Sequence, residues 1–167
     1  MSPPTGRDTQ RSALYAAEAM VLSLFESAQP TVELAGTSIT LPPEGRFGSV
    51  ESVRAYVDRV LARPSVRERF PRADLPVAVR ARRGDRSAHY ESAPSPVIAV
   101  PESAEGRWAL RELVVLHEVS HHLTEPGVVP HGPEFATTLV DLVTDVLGPE
   151  AGFVYRVILT DSGIALS

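Results

Sequence analysis

The run His117-Glu118-Val119-Ser120-His121-His122 sets two histidines four positions apart with a carboxylate between them. Ten residues further on, His131 opens a second run, His131-Gly132-Pro133-Glu134-Phe135. On a helix, positions i and i+4 share one face with Cβ atoms about 5–6 Å apart, so two imidazoles there can converge on one tetrahedral ion such as zinc. Glu118 stands about 100° further round the same helix, where it can reach water beside the ion without ligating it. A glutamate framed by two histidines in this way arises by accident in roughly one such chain in a hundred. Four of the five histidines fall within fifteen residues, which makes coincidence a poor account of them. His117, His121 and His131 are the expected metal ligands, and Glu118 the expected catalytic residue.

Three neutral imidazoles leave Zn2+ its full charge and an open fourth position, which brings a bound water to a pKa of about 7. Glu118 would take the proton as this water attacks a polarised carbonyl, then return it to the leaving amine. The expected reaction is hydrolysis of a peptide or amide bond, with a peptide or protein as substrate. An oxyanion donor is also needed, and His89, Tyr90, His122, Tyr155 and Arg156 qualify by type; the sequence does not choose among them. His122, five positions after His117, points about 140° away from it and is expected in packing or on the surface. Asp141 or Glu134 could accept a hydrogen bond from a metal-bound histidine, or simply face solvent.

Two other readings compete. Glu134 or Asp141, thirteen and twenty residues beyond His121, could supply a carboxylate third ligand, as in gluzincins. His131 is preferred because it immediately precedes a helix start and imidazole suits zinc. A non-catalytic zinc-containing binding module is the second class. Such a site would close its fourth position with another protein group and would have no use for Glu118.

With these residues in view, the pattern of HExxH on a helix, a short loop and then HGPEF opening the next helix resembles the SprT-like zincin metallopeptidases. The resemblance covers roughly residues 103–148 and lies in the HGPEF box more than in HExxH. It implies zinc on His117, His121 and His131, with Glu118 as general base. Two features depart from the family: the loop between second and third ligands is shorter than in many members, and the chain has no cysteine, so the zinc ribbon that often follows the protease domain is missing. The resemblance points to the small single-domain metallohydrolases of this type.

The elements that must hold these residues can be read separately. A helix is predicted from a cap at Ser103 through Glu105, Trp108 and Leu110 to Thr124. Its apolar residues cover almost the whole circumference, as in a helix buried between layers. Pro126-Gly127 stops it, and Pro133 suits the first turn of a following helix that Gly148-Pro149 closes. Leu14, Ala17, Val21, Leu24 and Phe25 follow helical spacing over Ala13–Phe25. Thr31–Leu41 reads as a hairpin or strand around Ala35-Gly36. Ser49 caps a helix that ends before Pro64. Residues 77–83, 87–92 and 96–100 read as short strands, with Gly84-Asp85 and Pro94 as breaks. Prolines at both ends of the last suit an edge strand, where extended substrate could pair. Residues 154–159 are ambiguous between strand and helix, and Pro149-Glu150 ahead of them favours helix. The expected fold is α+β and zincin-like: a small, mostly antiparallel sheet of short strands packed on helices, with the HExxH helix buried. Residues 1–10 are expected to form a loose polar tail and 11–167 a single metallohydrolase domain.

Composition sets the remaining bounds. A chain of 167 residues with 43% hydrophobic and 22% charged residues suits one globular domain with a proper core. Without cysteine there are no disulfides, no thiolate ligands and no thiol catalysis, which is compatible with a cytoplasmic location. No stretch is long and apolar enough to span a membrane. All sixteen basic residues are arginine. The cluster Arg80, Arg82, Arg83 and Arg86 could meet phosphates, but two of these alternate along a half-exposed strand and the net charge is −5. Nucleic acid is therefore not the expected partner.

Overall fold

The computed structural model describes residues 7–83, 87–101 and 110–167. Contacts divide the chain into two compact units, Met1–Pro43 with Pro126–Ser167, and Glu44–Glu125. The expected helix start at Ser103, with Glu105 and Trp108, lies outside the described residues, as do Gly84, Asp85 and Arg86.

The first unit is built from three helices and a hairpin. Helix α1 (Arg11–Glu26) buries Leu14, Ala17 and Val21, one stripe at helical spacing. Strands β1 (Thr31–Leu34) and β2 (Thr37–Thr40) pair antiparallel. Ala35 and Gly36 both take positive φ, 50° and 74°, as a two-residue turn matching the twist of a hairpin requires. Helix α5 (Pro133–Leu147) starts on Pro133 and ends at Gly148, whose φ of 104° allows the reversal into α6 (Pro149–Asp161). The α-helix favoured for residues 154–159 is therefore present. Gly152 lets α5 and α6 approach closely, since a Cβ there would lie 1.9 Å from Thr144 Oγ1. Phe135, Leu139, Leu142 and Val143 of α5 and Val154, Tyr155 and Leu159 of α6 are buried in the core.

The second unit holds helices α2 (Val50–Ala62), α3 (Pro64–Arg69) and α4 (Glu112–Leu123), a 3-10 turn at Pro71–Asp74, and strands β3 (Ala78–Arg82), β4 (His89–Glu91) and β5 (Val97–Pro101). The predicted cap of α2 is present: the Ser49 hydroxyl accepts from Ser52 N, and the Ser52 hydroxyl accepts from Ser49 N. The sheet order is β3-β5-β4, with β3 parallel and β4 antiparallel to β5. One expectation changes here. The three-stranded sheet is mixed, two of the three strand pairs among the described residues being antiparallel as expected, but β5 is its central strand rather than the edge that its prolines predict. Both prolines stand at the margins of β5, so the amides of Val97–Val100 remain available on either side. Its run Val97-Ile98-Ala99-Val100 is the continuous apolar pattern of a strand covered on both faces, and Ile98, Ala99 and Val100 are each fully buried. Substrate pairing along β5 is thereby removed.

The fold is thus a small α+β arrangement of short antiparallel and mixed sheets packed on helices, with α4 carrying the His-Glu-x-x-His run in the core. Eleven of its twelve residues are buried, in agreement with its all-round apolar pattern. Its start differs from the prediction. Leu110 and Arg111 precede the helix, and Arg111 is extended at φ −78°, ψ 144°.

Candidate metal centre

Backbone pairing fixes where α4 begins. Phe47 N donates to Leu110 O and Glu112 N to Gly45 O, each at 3.0 Å, so Arg111 is held extended against Arg46. No side chain of Arg111 caps the helix. Instead Glu44, distant in sequence, accepts from Leu113 N at 3.0 Å through Oε2 and receives the Arg111 guanidinium on Oε1 at 2.6 and 3.0 Å. The carboxylate of Glu112 accepts from Gly45 N at 2.8 Å and from the Tyr56 hydroxyl at 2.5 Å. A helix start must satisfy several orphan amides: here Glu44 takes that of Leu113 and the Gly45 carbonyl that of Glu112, while the Glu112 carboxylate anchors Gly45 and Tyr56 beside them. Burial, reinforced by the Glu112 hydrogen bond and charge, holds the Tyr56 phenol far above its ordinary value.

From that start, His117 and His121 fall one turn apart. Their ring centroids are 5.0 Å apart with planes at 71°. His117 and Glu118 are 4% and 5% exposed, and His121 is half-buried. His122 faces elsewhere. It is fully buried, with Nε2 donating to Leu75 O at 2.8 Å and Nδ1 accepting from the Tyr90 hydroxyl at 3.1 Å. Burial lowers its pKa, so it is a neutral packing histidine, the first of the two roles expected for it. Tyr90 thereby stands beside the candidate ligands, its ring stacked parallel to His121 at 6.3 Å. The other candidate oxyanion donors are placed differently. His89 hydrogen-bonds with Glu91 and Arg82, Tyr155 is buried in α6, and Arg156 is exposed.

His131 precedes the N-cap of α5. A turn closed by Gly132 N donating to Val129 O at 3.0 Å sets its backbone, and its ring packs edge-on against Phe135 at 5.4 Å. Its Nδ1 lies 2.8 Å from Asp8 Oδ2. An ionised carboxylate only accepts, so Nδ1 donates, and in the neutral ring Nε2 then keeps its lone pair. The Tyr15 hydroxyl stands 3.4 Å from that Nε2. Sequence reasoning misses Asp8 and Tyr15, because nothing in their local pattern marks them.

One ligand atom from each of His117, His121 and His131 lies within 4.8 Å of the others. Among the described residues, this grouping includes neither Glu134 nor Asp141. Three neutral nitrogen donors suit a divalent transition metal. A carboxylate that fixes the tautomer of one of them is the usual outer partner of a metal-bound imidazole. The donor set therefore fits such an ion.

No family model, curated protein or solved structure matches the chain. The assignment is carried by the residues themselves. The buried His117-Glu118-x-x-His121 run with His131 matches an HExxH-type zinc-binding motif and is consistent with a small zincin-like metallopeptidase. A glutamate buried within that run supports an enzyme over a purely structural domain. No helix among the described residues is long and apolar enough to cross a membrane.

Proposed function

We propose that this chain is a zinc-dependent peptidase acting in the cytoplasm. Its ligands would be His117, His121 and His131, and its general base Glu118. The observation that carries the reading is the grouping of three imidazole nitrogens within 4.8 Å of one another, next in sequence to a buried carboxylate. The HGPEF run and the SprT-like resemblance support the same assignment, and the absence of cysteine accords with a reducing compartment. Zinc, when bound, supplies a Lewis acid that polarises a carbonyl and acidifies water.

The chain's own groups do the rest. Glu118, buried and one position past the first ligand, accepts a proton from the attacking water and delivers it to the leaving amine nitrogen. Asp8 keeps the His131 proton on Nδ1, which reserves Nε2 for the ion. With three protein nitrogens as ligands, one position remains for water or substrate.

Elemental analysis of purified protein, with digestion of a peptide library, tests this. Wild type is expected to hold zinc and cleave. Glu118→Gln should keep zinc and lose cleavage, and equal cleavage by the two proteins overturns the mechanism.

A further inference from the structure

His122 is the third histidine of the run from His117 to His122, and neither the motif nor the proposed mechanism uses it. It is fully buried, and a buried polar ring is costly unless it is hydrogen-bonded. Both of its nitrogens are engaged. The Leu75 carbonyl can only accept, so Nε2 donates to it at 2.8 Å, which leaves Nδ1 of the neutral ring to accept from the Tyr90 hydroxyl at 3.1 Å. Arg72 Nε donates to the His122 carbonyl at 2.8 Å, satisfying an orphan acceptor in the last turn of α4. His122 is thus fastened at ring and backbone to the segment Arg72–Leu75.

Tyr90 is in turn fixed at both ends. Its backbone lies in β4, paired with Ile98 of the buried β5, and its hydroxyl is held by His122. The ring between these anchors lies parallel to the His121 imidazole, with planes at 5° and centroids 6.3 Å apart, and edge-on to His122 at 5.7 Å. Both separations fall in the range of about 4.5–7 Å over which aromatic rings orient one another. The single proton of the hydroxyl is committed to His122, so Tyr90 has none to offer a developing oxyanion. All of these residues belong to one unit, Glu44–Glu125.

His121 is the ligand that gains most from such a neighbour. His117 and His131 are 4% and 6% exposed, whereas His121 is only half-buried. A ligating nitrogen must sit about 2.0–2.1 Å from zinc, and a ring already held for that geometry loses less freedom on binding.

We propose that Tyr90 is a positioning residue of the metal centre: tethered by His122, its ring sets the plane of the His121 imidazole and so raises the affinity for the ion. The inference rests on the metal reading above and adds to it a strut from the buried end of α4.

Competition between the full chain and a chromogenic chelator for zinc tests the strut. Tyr90→Phe keeps the ring and cuts the tether, and should weaken zinc binding about tenfold. His122→Leu cuts the same tether from its other end, so the double variant should bind no more weakly than either single one. His122→Gln keeps a donor and an acceptor and should recover most of the affinity. Losses that multiply in the double variant, or a His122→Gln as weak as His122→Leu, overturn the proposal. With cobalt(II) in place of zinc, the ligand-field bands report the arrangement of the ligating nitrogens. They should shift in Tyr90→Phe and keep their wild-type positions in His122→Gln. Unshifted bands in Tyr90→Phe overturn the proposal even if His122→Leu fails to fold. A Tyr90→Phe that binds zinc as tightly as wild type removes the strut and leaves the metal reading standing, whereas a wild type that binds neither ion overturns both.

Discussion

Asp8 Oδ2 and His131 Nδ1 stand 2.8 Å apart although 123 positions separate them in the chain. The contact orients the imidazole and raises its basicity at the far nitrogen. Asp8→Asn removes the charge while keeping the size, and is expected to weaken zinc affinity by about 10–100-fold. Competition with a chromogenic chelator measures this, and an unchanged affinity would show that the contact has no bearing on the ion.

Zinc should also stabilise the fold. An ion that binds only the native state adds about 2.7 kcal/mol when free metal is 100 times its Kd. For a chain of this length that corresponds to a rise in Tm of roughly 5–10 °C. A thermal melt with and without chelator reads the shift in wild type, and His131→Ala should lose most of it.

Glu44 holds the start of α4 from a distance. Its side chain and that of Arg111 are 5% and 4% exposed in their ion pair. Glu44→Ala strips the partner from a buried guanidinium and an acceptor from Leu113 N, and is expected to cost about 3–5 kcal/mol. Glu44→Gln, which keeps an acceptor oxygen, should cost less. Urea unfolding of both variants tests the order, and a Glu44→Ala variant as stable as wild type contradicts it.

Tyr56 makes stability depend on alkaline pH. Its phenol is held above the ordinary 10.0 by burial first, then by Glu112. Above about pH 10 the unfolded chain releases this proton while the folded chain retains it. The stabilisation is complete below that pH and declines as pH rises through it, by at most about 1.4 kcal/mol per pH unit. Denaturant midpoints measured from pH 8 to 11 should fall more steeply for wild type than for Tyr56→Phe, and parallel slopes would rule the coupling out.

The metal-binding run is legible in the sequence because its chemistry is local. His117, Glu118 and His121 occupy one stretch of helix, and His131 follows one short loop later. The Ala35-Gly36 hairpin, the Ser49 cap and the Gly148-Pro149 break are legible for the same reason: each depends on residues a few positions apart. What escapes depends on remote partners. Arg111 is extended because residues 45–47 pair with it, and Glu44 caps Leu113 across 69 positions. Tyr15 meets His131 across 116 positions. The central place of β5 is hidden for another reason. Prolines at both ends suggest an edge, while the uninterrupted apolar run between them records the two strands that flank it.

The position of Asp8 has a practical corollary for anyone handling the protein. Proteolytic nicking just after residue 8 would delete a carboxylate while sparing every core side chain of α1, whose first buried residue is Leu14. Such a sample would have nearly the expected mass and a normal circular dichroism spectrum, yet would be metal-poor. Intact-mass verification of the amino terminus should therefore come before a batch is discarded as inactive.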